Sequence, residues 1–210
     1  MSKNPYPGRP YPVGQLEWAL SPERAAKVTP LKTKRFALLE YGEAEILFDM
    51  PRILSLEGKY LNLGHGAGGS AMLLAAGLED QNLKGIVYSI DLFKRGSWSG
   101  GYDGTLNQAW QIVKEMGLHH RMQLYQGQTS FFVQNFDFLS FLFIDADHSY
   151  EGVKSDFLNY AHKVVKGGAV AFHDCNQDYT VQVLREYVLD NNTWEQIYHI
   201  NRIRVFRKNA

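Results

Sequence analysis

The stretch KYLNLGHGAGGS, residues 59–70, decides the fold. An apolar run closes at Leu63, four glycines follow within six residues, and Ser70 opens a helical pattern. A strand that turns so abruptly into a helix needs residues without Cβ. Its backbone can then approach a ligand at the helix N-terminus, where free N–H groups gather. Gly64, Gly66 and Gly69 match the G-x-G-x-x-G spacing of dinucleotide-binding turns. Asp91, ending the next apolar run, stands near the separation at which a carboxylate accepts hydrogen bonds from ribose hydroxyls. The glycines alone do not choose among nucleotide-like cofactors, and a ligand-free turn would use the same residues.

Downstream, short apolar runs alternate with helical patterns, as a parallel sheet covered on both faces requires. Strands are expected at 59–64, 85–91, 122–127, 139–145, 168–174, 194–200 and 203–208, with helices near 69–79, 104–117 and 150–165. Only Asn201 and Arg202 separate the last two strands, which permits an antiparallel hairpin but no parallel crossover. The expected fold class is therefore α/β: a doubly wound, mostly parallel seven-stranded sheet, Rossmann-like, ending in an antiparallel hairpin. Upstream, Pro5, Pro7, Pro10 and Pro12 discourage regular structure. Residues 1–40 read as an N-terminal arm with a helix that Ser21 and Pro22 would open, and residues 41–210 as the cofactor-binding domain. A helix from Tyr41 towards Leu54 leads into that domain, and Pro51 would kink or end it.

The 210 residues, 45% of them hydrophobic, suffice for one sizeable core. With 22 basic and 22 acidic residues the formal charge is zero, so no global field favours nucleic acid or an anionic membrane surface. The one cysteine, Cys175, has no intrachain partner, and no segment has the length and apolarity of a signal peptide or a membrane span. A cytoplasmic protein acting on a small molecule is expected. Tyr6, Tyr11 and Trp18 in the arm would pack on a second subunit, giving a homo-oligomer, or on their own domain.

Chemistry concentrates in FLFIDADHSYEGVKSDF, residues 141–157, and GGAVAFHDCNQ, residues 167–177. Both close strands, and neighbouring parallel strands open their carboxyl ends on one crevice, so Asp145, Asp147 and His148 can meet His173, Asp174 and Asn176 there. Carboxylates brought so close repel one another, and a divalent cation is the usual remedy. Asp145 and Asp174 are plausible ligands, with His173 as a third ligand or as a support behind them. The plainer reading has Asp147 and Ser149 capping the next helix. In YQGQTS, residues 125–130, Gly127, Gln128 and Thr129 could lie against an adenine edge. FKRGSWSGGYDG, residues 93–104, mixes glycines with aromatics and reads as a lid or as an ordinary loop.

FIDADHSYEGVKSDF followed by GGAVAFHD resembles the family of macrocin O-methyltransferase and the cephalosporin-biosynthesis methyltransferase-like proteins, over about residues 55–176. The resemblance implies a class I methyltransferase with S-adenosylmethionine bound over Gly64, Gly66 and Gly68, flanked by His65, Ser70 and Leu92, with Asp91 on the ribose. It also implies a magnesium or manganese ion near Asp145 and Asp174, and His148 as the base. Two positions depart from the family pattern. Asn62 stands where an acidic residue is common, and its carbonyl could still accept from the cofactor's ammonium group. His173 stands before Asp174 where some metal-dependent relatives have glutamate. A nicotinamide-dependent oxidoreductase and a non-catalytic methyltransferase-like subunit are the rival readings.

Overall fold

The computed structural model describes residues 22–31, 39–94 and 104–209. Tyr6, Tyr11, Trp18, the Ser21 cap and most of the 93–104 loop lie outside those residues. The described chain runs α1 (Pro22–Leu31), α2 (Tyr41–Leu54), β1 (Gly58–Leu63), α3 (Gly69–Asp80), β2 (Gly85–Asp91), α4 (Leu106–Glu115) and β3 (Met122–Gln126). It continues through β4 (Leu139–Ile144), α5 (Tyr150–Tyr160), β5 (Val164–Phe172), α6 (Asp178–Leu184), β6 (Trp194–Ile200) and β7 (Ile203–Lys208).

The seven strands form one sheet in the order β3-β2-β1-β4-β5-β7-β6. The first five are parallel, and β7 lies antiparallel between β5 and β6. The expected α/β class and terminal hairpin are both present. Crossovers from β1 proceed outward through β2 to β3, whereas β4 leads the other way to β5, so the order reverses between β1 and β4. A crevice opens at the carboxyl ends of strands wherever the winding reverses.

The amino-acid pattern of β4 explains the double cover. All six of its residues are buried. Phe141 and Phe143 join the core beneath α2, α3 and α4, while Leu142 and Ile144 join the core beneath α5 and α6. A strand with both faces covered has no polar alternation to show. On the first face α2 and α3 cross at Gly77, where a Cβ would fall 2.1 Å from the Phe48 carbonyl oxygen. Helix α2 continues through Pro51 to Leu54, and Ser55, at a left-handed φ of 51°, returns its N–H to the Pro51 carbonyl. Pro51 therefore sits within the last turn and does not end the helix.

Three elements differ from the sequence expectation, the first being helix α5, which ends at Tyr160 and not near residue 165. Strand β5 starts at Val164, earlier than residue 168, with an irregular register against β4. Helix α6 was not expected. Its seven residues run directly into a π-helical turn at Arg185–Leu189, burying Val183, Leu184 and Val188. A widened turn spoils the 3.6-residue spacing by which helices are read. No described helix is long and apolar enough to cross a membrane.

Candidate active site

Strands β1 and β4 are neighbours, so the segments leaving them compete for the same space. Gly64 resolves this with φ of +89°, in a place where a Cβ would lie 2.0 Å from the Asp145 carbonyl oxygen. Asp91 then straps the turn to β2. Its Oδ2 accepts from the backbone N–H of His65 at 2.8 Å and of Gly66 at 3.0 Å, and its Oδ1 from Phe93 at 2.9 Å. A carboxylate has about four acceptor positions, so capacity for a ribose hydroxyl remains. Asn62 is wholly buried beneath the turn, where Nδ2 donates to the Gly64 carbonyl at 2.8 Å and to Ser89 Oγ at 2.9 Å. The His65 ring is also buried, with Nδ1 2.9 Å from Ser89 Oγ, and burial pushes its pKa down to about 4, leaving it neutral.

The cleft at the strand ends has two lobes of about 640 and 380 Å³, which meet at Gly64, Asp91, Leu92 and Ala146. Gly127, Gln128 and Thr129 line the larger lobe. The smaller holds His65, Gly66, Ser70, Asp145, His148, His173 and Asp174. Of the residues expected around the cofactor and in the strand-end crevice, Asn62, Gly68 and Asn176 stay outside both linings. Ser149 caps α5 by accepting from Gly152 N–H at 3.1 Å.

Asp145 and Asp174 follow β4 and β5, and Asp174 adopts a left-handed φ of 51°, a conformation that non-glycine residues seldom take outside constrained sites. His148 Nε2 stands 3.6 Å from Asp145 Oδ1 and 3.7 Å from Asp174 Oδ2, with its side chain largely exposed. The Asp145 carboxylate beside it raises the His148 pKa. Burial works against the Asp145 carboxylate, but the charge of His173 and the nearby His148 imidazole outweigh it and hold its pKa below the usual value. Tyr179 donates to Asp174 Oδ2 at 3.1 Å, and its ring stacks on that of His148.

His173 is placed differently from an outward-facing ligand. Its Nδ1 faces Asp145 at 3.1 Å and Asp174 at 3.3 Å, while Nε2 faces Glu43 at 3.5 Å. Burial disfavours its charge, yet the surrounding carboxylates prevail and raise its pKa to about 10. Glu43, in the first turn of α2, has no exposed surface. It accepts from Glu40 N–H at 2.8 Å, from Arg202 N–H at 2.9 Å and from Arg202 Nη2 at 3.3 Å. Arg202 also donates to Asp174 Oδ1 at 3.3 Å. Glu43, Arg202, Tyr179 and Asp156 were missed in the sequence reading. The spacing of Glu40 and Glu43 signals only a helix cap, Arg202 looked like hairpin linker, and Asp156, next to last in the quoted SYEGVKSDF run, drew no role.

For a divalent cation, the described residues offer Asp145, His148 and Asp174, whose candidate ligand atoms lie within 4.8 Å of one another. Two carboxylate oxygens beside an imidazole nitrogen fit a magnesium- or manganese-type ion by donor chemistry. His148 faces the aspartates from the open cleft, whereas His173 meets the same two carboxylates from the buried side. Cys175 is buried, and burial pushes its thiol up to about 12, which removes it from nucleophilic chemistry.

No curated protein matches the chain in sequence. Among solved structures it is similar to the O-methyltransferase NovP, with 15% identity, a TM-score of 0.70 and 83% of each chain covered. It is similar to the O-methyltransferase TomG from Streptomyces achromogenes in complex with SAM, at 14% identity and TM-score 0.63, over 90% of this chain and 88% of that one. The MycE methyltransferase of the mycinamycin pathway, in complex with Mg, SAH and mycinamycin VI, is 14% identical with TM-score 0.60, over 90% of this chain and 54% of that one. These likenesses confirm the fold. The family described as Methyltransferase domain matches residues 61–175, more than half of the chain and the whole span from the glycine turn to the strand-end cluster. The chain belongs to that methyltransferase family.

Proposed function

We propose that the protein transfers the methyl group of S-adenosylmethionine to a hydroxyl of a small molecule or sugar, with a divalent cation assisting. The observation that carries this reading is the shared cleft. The glycine turn and Asp91 open on the same space as Asp145, His148 and Asp174. The larger lobe is lined by Asp91, Asp147, Glu151 and Asp156, with no Lys, Arg or His among its described lining residues. Such a surface suits an uncharged base and opposes a phosphate group.

The displacement forms a bond from methyl carbon to acceptor oxygen and breaks the carbon–sulfur bond, leaving a neutral thioether. It requires donor carbon and acceptor oxygen near contact, roughly 3 Å apart. Asp91 and the turn fix the adenosyl end. Asp145 and Asp174 would hold a magnesium or manganese ion, which when bound lowers the pKa of the acceptor hydroxyl. His148, exposed on the cleft beside both carboxylates, takes the acceptor's proton. His173, Glu43 and Arg202 fix the two aspartates from behind. The magnesium in the MycE complex supports the cation, and the resemblance to the macrocin O-methyltransferase family supports a sugar or natural-product hydroxyl.

The test is calorimetric titration of metal-stripped protein with S-adenosylmethionine, S-adenosylhomocysteine and NAD, each repeated with magnesium and with manganese. Binding of both adenosyl-sulfur ligands but not NAD is expected, as is cation uptake that disappears in Asp145→Asn and Asp174→Asn. NAD binding alone would overturn the reading.

A further inference from the structure

Asp156 lies on α5 with 2% of its surface exposed, and it lines the larger lobe of the cleft. Its Oδ1 accepts from the Thr129 hydroxyl at 2.5 Å. Among the described residues its Oδ2 has no hydrogen-bond partner, nor does any basic side chain face it. Burial is the largest influence on this carboxyl and raises its pKa to about 6. A buried carboxyl with one oxygen satisfied and the other unpaired is unfavourable in the free protein. Asp156 lines the cavity, so a ligand there can complete the shell.

The position in the cleft names the part of the ligand. Asp91 is common to both lobes, whereas Asp156 belongs to the larger lobe alone. A ligand whose ribose meets Asp91 and whose sulfur points into the smaller lobe must extend its base into the larger one. A carboxylate there accepts hydrogen bonds and donates none, so it selects a base edge that carries N–H. Thr129, which the sequence placed against an adenine edge, meets Asp156 from the loop after β3.

We propose that Asp156 is a specificity-determining residue that recognises the exocyclic amino group of the cofactor's adenine, with Oδ2 accepting its N–H while Thr129 holds Oδ1. This inference rests on the adenosyl reading of the cleft given above. It adds a recognition group from α5 to a site otherwise built by loops at the strand ends.

The test is a cycle of two ligands and three proteins, read by calorimetry. The ligands are S-adenosylhomocysteine and its 6-deamino purine analogue, which carries hydrogen in place of the amino group. The proteins are the unaltered chain, Asp156→Ala and Asp156→Asn, the last of which retains side-chain volume. Unaltered protein should bind the adenosyl ligand about 10- to 100-fold more tightly than the analogue, as loss of a hydrogen bond to a charged group implies. That preference should fall to within about twofold of parity in Asp156→Ala and should be reduced in Asp156→Asn. Equal binding of both ligands by unaltered protein would overturn the role of Asp156 and leave the methyltransferase reading standing. So would a preference that survives in both variants. Failure of unaltered protein to bind either ligand would instead overturn the adenosyl reading, and this inference with it.

Discussion

Two buried carboxylates stand at opposite sides of the site, and their surroundings differ in kind. Glu43 has a backbone N–H from its own helix cap, a second from the hairpin link, a guanidinium and an imidazole around it. Burial opposes its charge, but those partners together hold its pKa below the usual value. Asp156 has one hydroxyl and a neighbouring negative charge at Asp147, and its pKa is raised. The same chemical group therefore serves two purposes. Glu43 completes the structure in the free protein, whereas Asp156 is completed only when the cleft is filled. A fully partnered buried acid marks scaffold, and a half-partnered acid facing a cavity marks recognition.

The sharpest way to break this comparison is to remove Glu43. Glu43→Ala leaves His173 and Arg202 facing Asp145 and Asp174 without their rear counter-charge, and truncating one partner of a buried charge network costs about 3–5 kcal/mol. Urea denaturation should show a loss of that order, while Glu43→Gln, which retains two acceptor positions on its carbonyl, loses less. A stability unchanged in Glu43→Ala would mean that α2 does not brace the cluster. His148, exposed in the smaller lobe, should behave in the opposite manner. His148→Ala is expected to cost a hundredfold or more in turnover, with little change in denaturation midpoint. Near-normal turnover by that variant would remove the base from the proposed mechanism.

Asp156 should announce itself through pH. Its folded-state pKa of about 6 stands above the ordinary 3.8, so native protein retains this proton to higher pH than the unfolded chain does. Its contribution to stability therefore falls as pH rises from about 4 to 6, by something on the order of 3 kcal/mol, and remains lost above that window. Asp156→Asn should flatten this part of the stability profile and gain on the unaltered protein at pH 7. An unchanged profile would show that the carboxyl is better solvated than its burial implies.

How far the sequence could lead follows the same division. Local signals were legible: the glycine turn at Gly64, the buried runs of the sheet and the two-residue hairpin link each constrain backbone within a few residues. Asp145, His148 and Asp174 were legible because strand ends of neighbouring parallel strands must meet at one crevice. What was not legible depends on long-range pairing. Nothing local separates Glu43 as a helix cap from Glu43 as the partner of Arg202, 159 residues away along the chain. Asn62 occupies the motif position expected to meet the cofactor, yet an alternate strand position faces inward, and it braces Gly64 and Ser89 from below. Helix α6 escaped because seven residues and a π-helical turn carry too little periodicity.

The finest division of the comparison is a single hydroxyl. Among the described residues Thr129 donates the one hydrogen bond made to the Asp156 carboxyl, and that bond favours the charged carboxylate, working against the larger effect of burial. Thr129→Val retains the shape and removes the donor. The Asp156 pKa should then move above about 6, and the pH window in which stability falls should move upward with it, by an amount worth about 1 kcal/mol. Asp156→Asn in the same background should abolish the shift, since no proton remains to be displaced. At Glu43, loss of any one donor leaves three others, so no comparable movement is expected there. If Thr129→Val leaves the window in place, the hydroxyl is not the group that holds Oδ1, and the division between scaffold and recognition must be drawn elsewhere in α5.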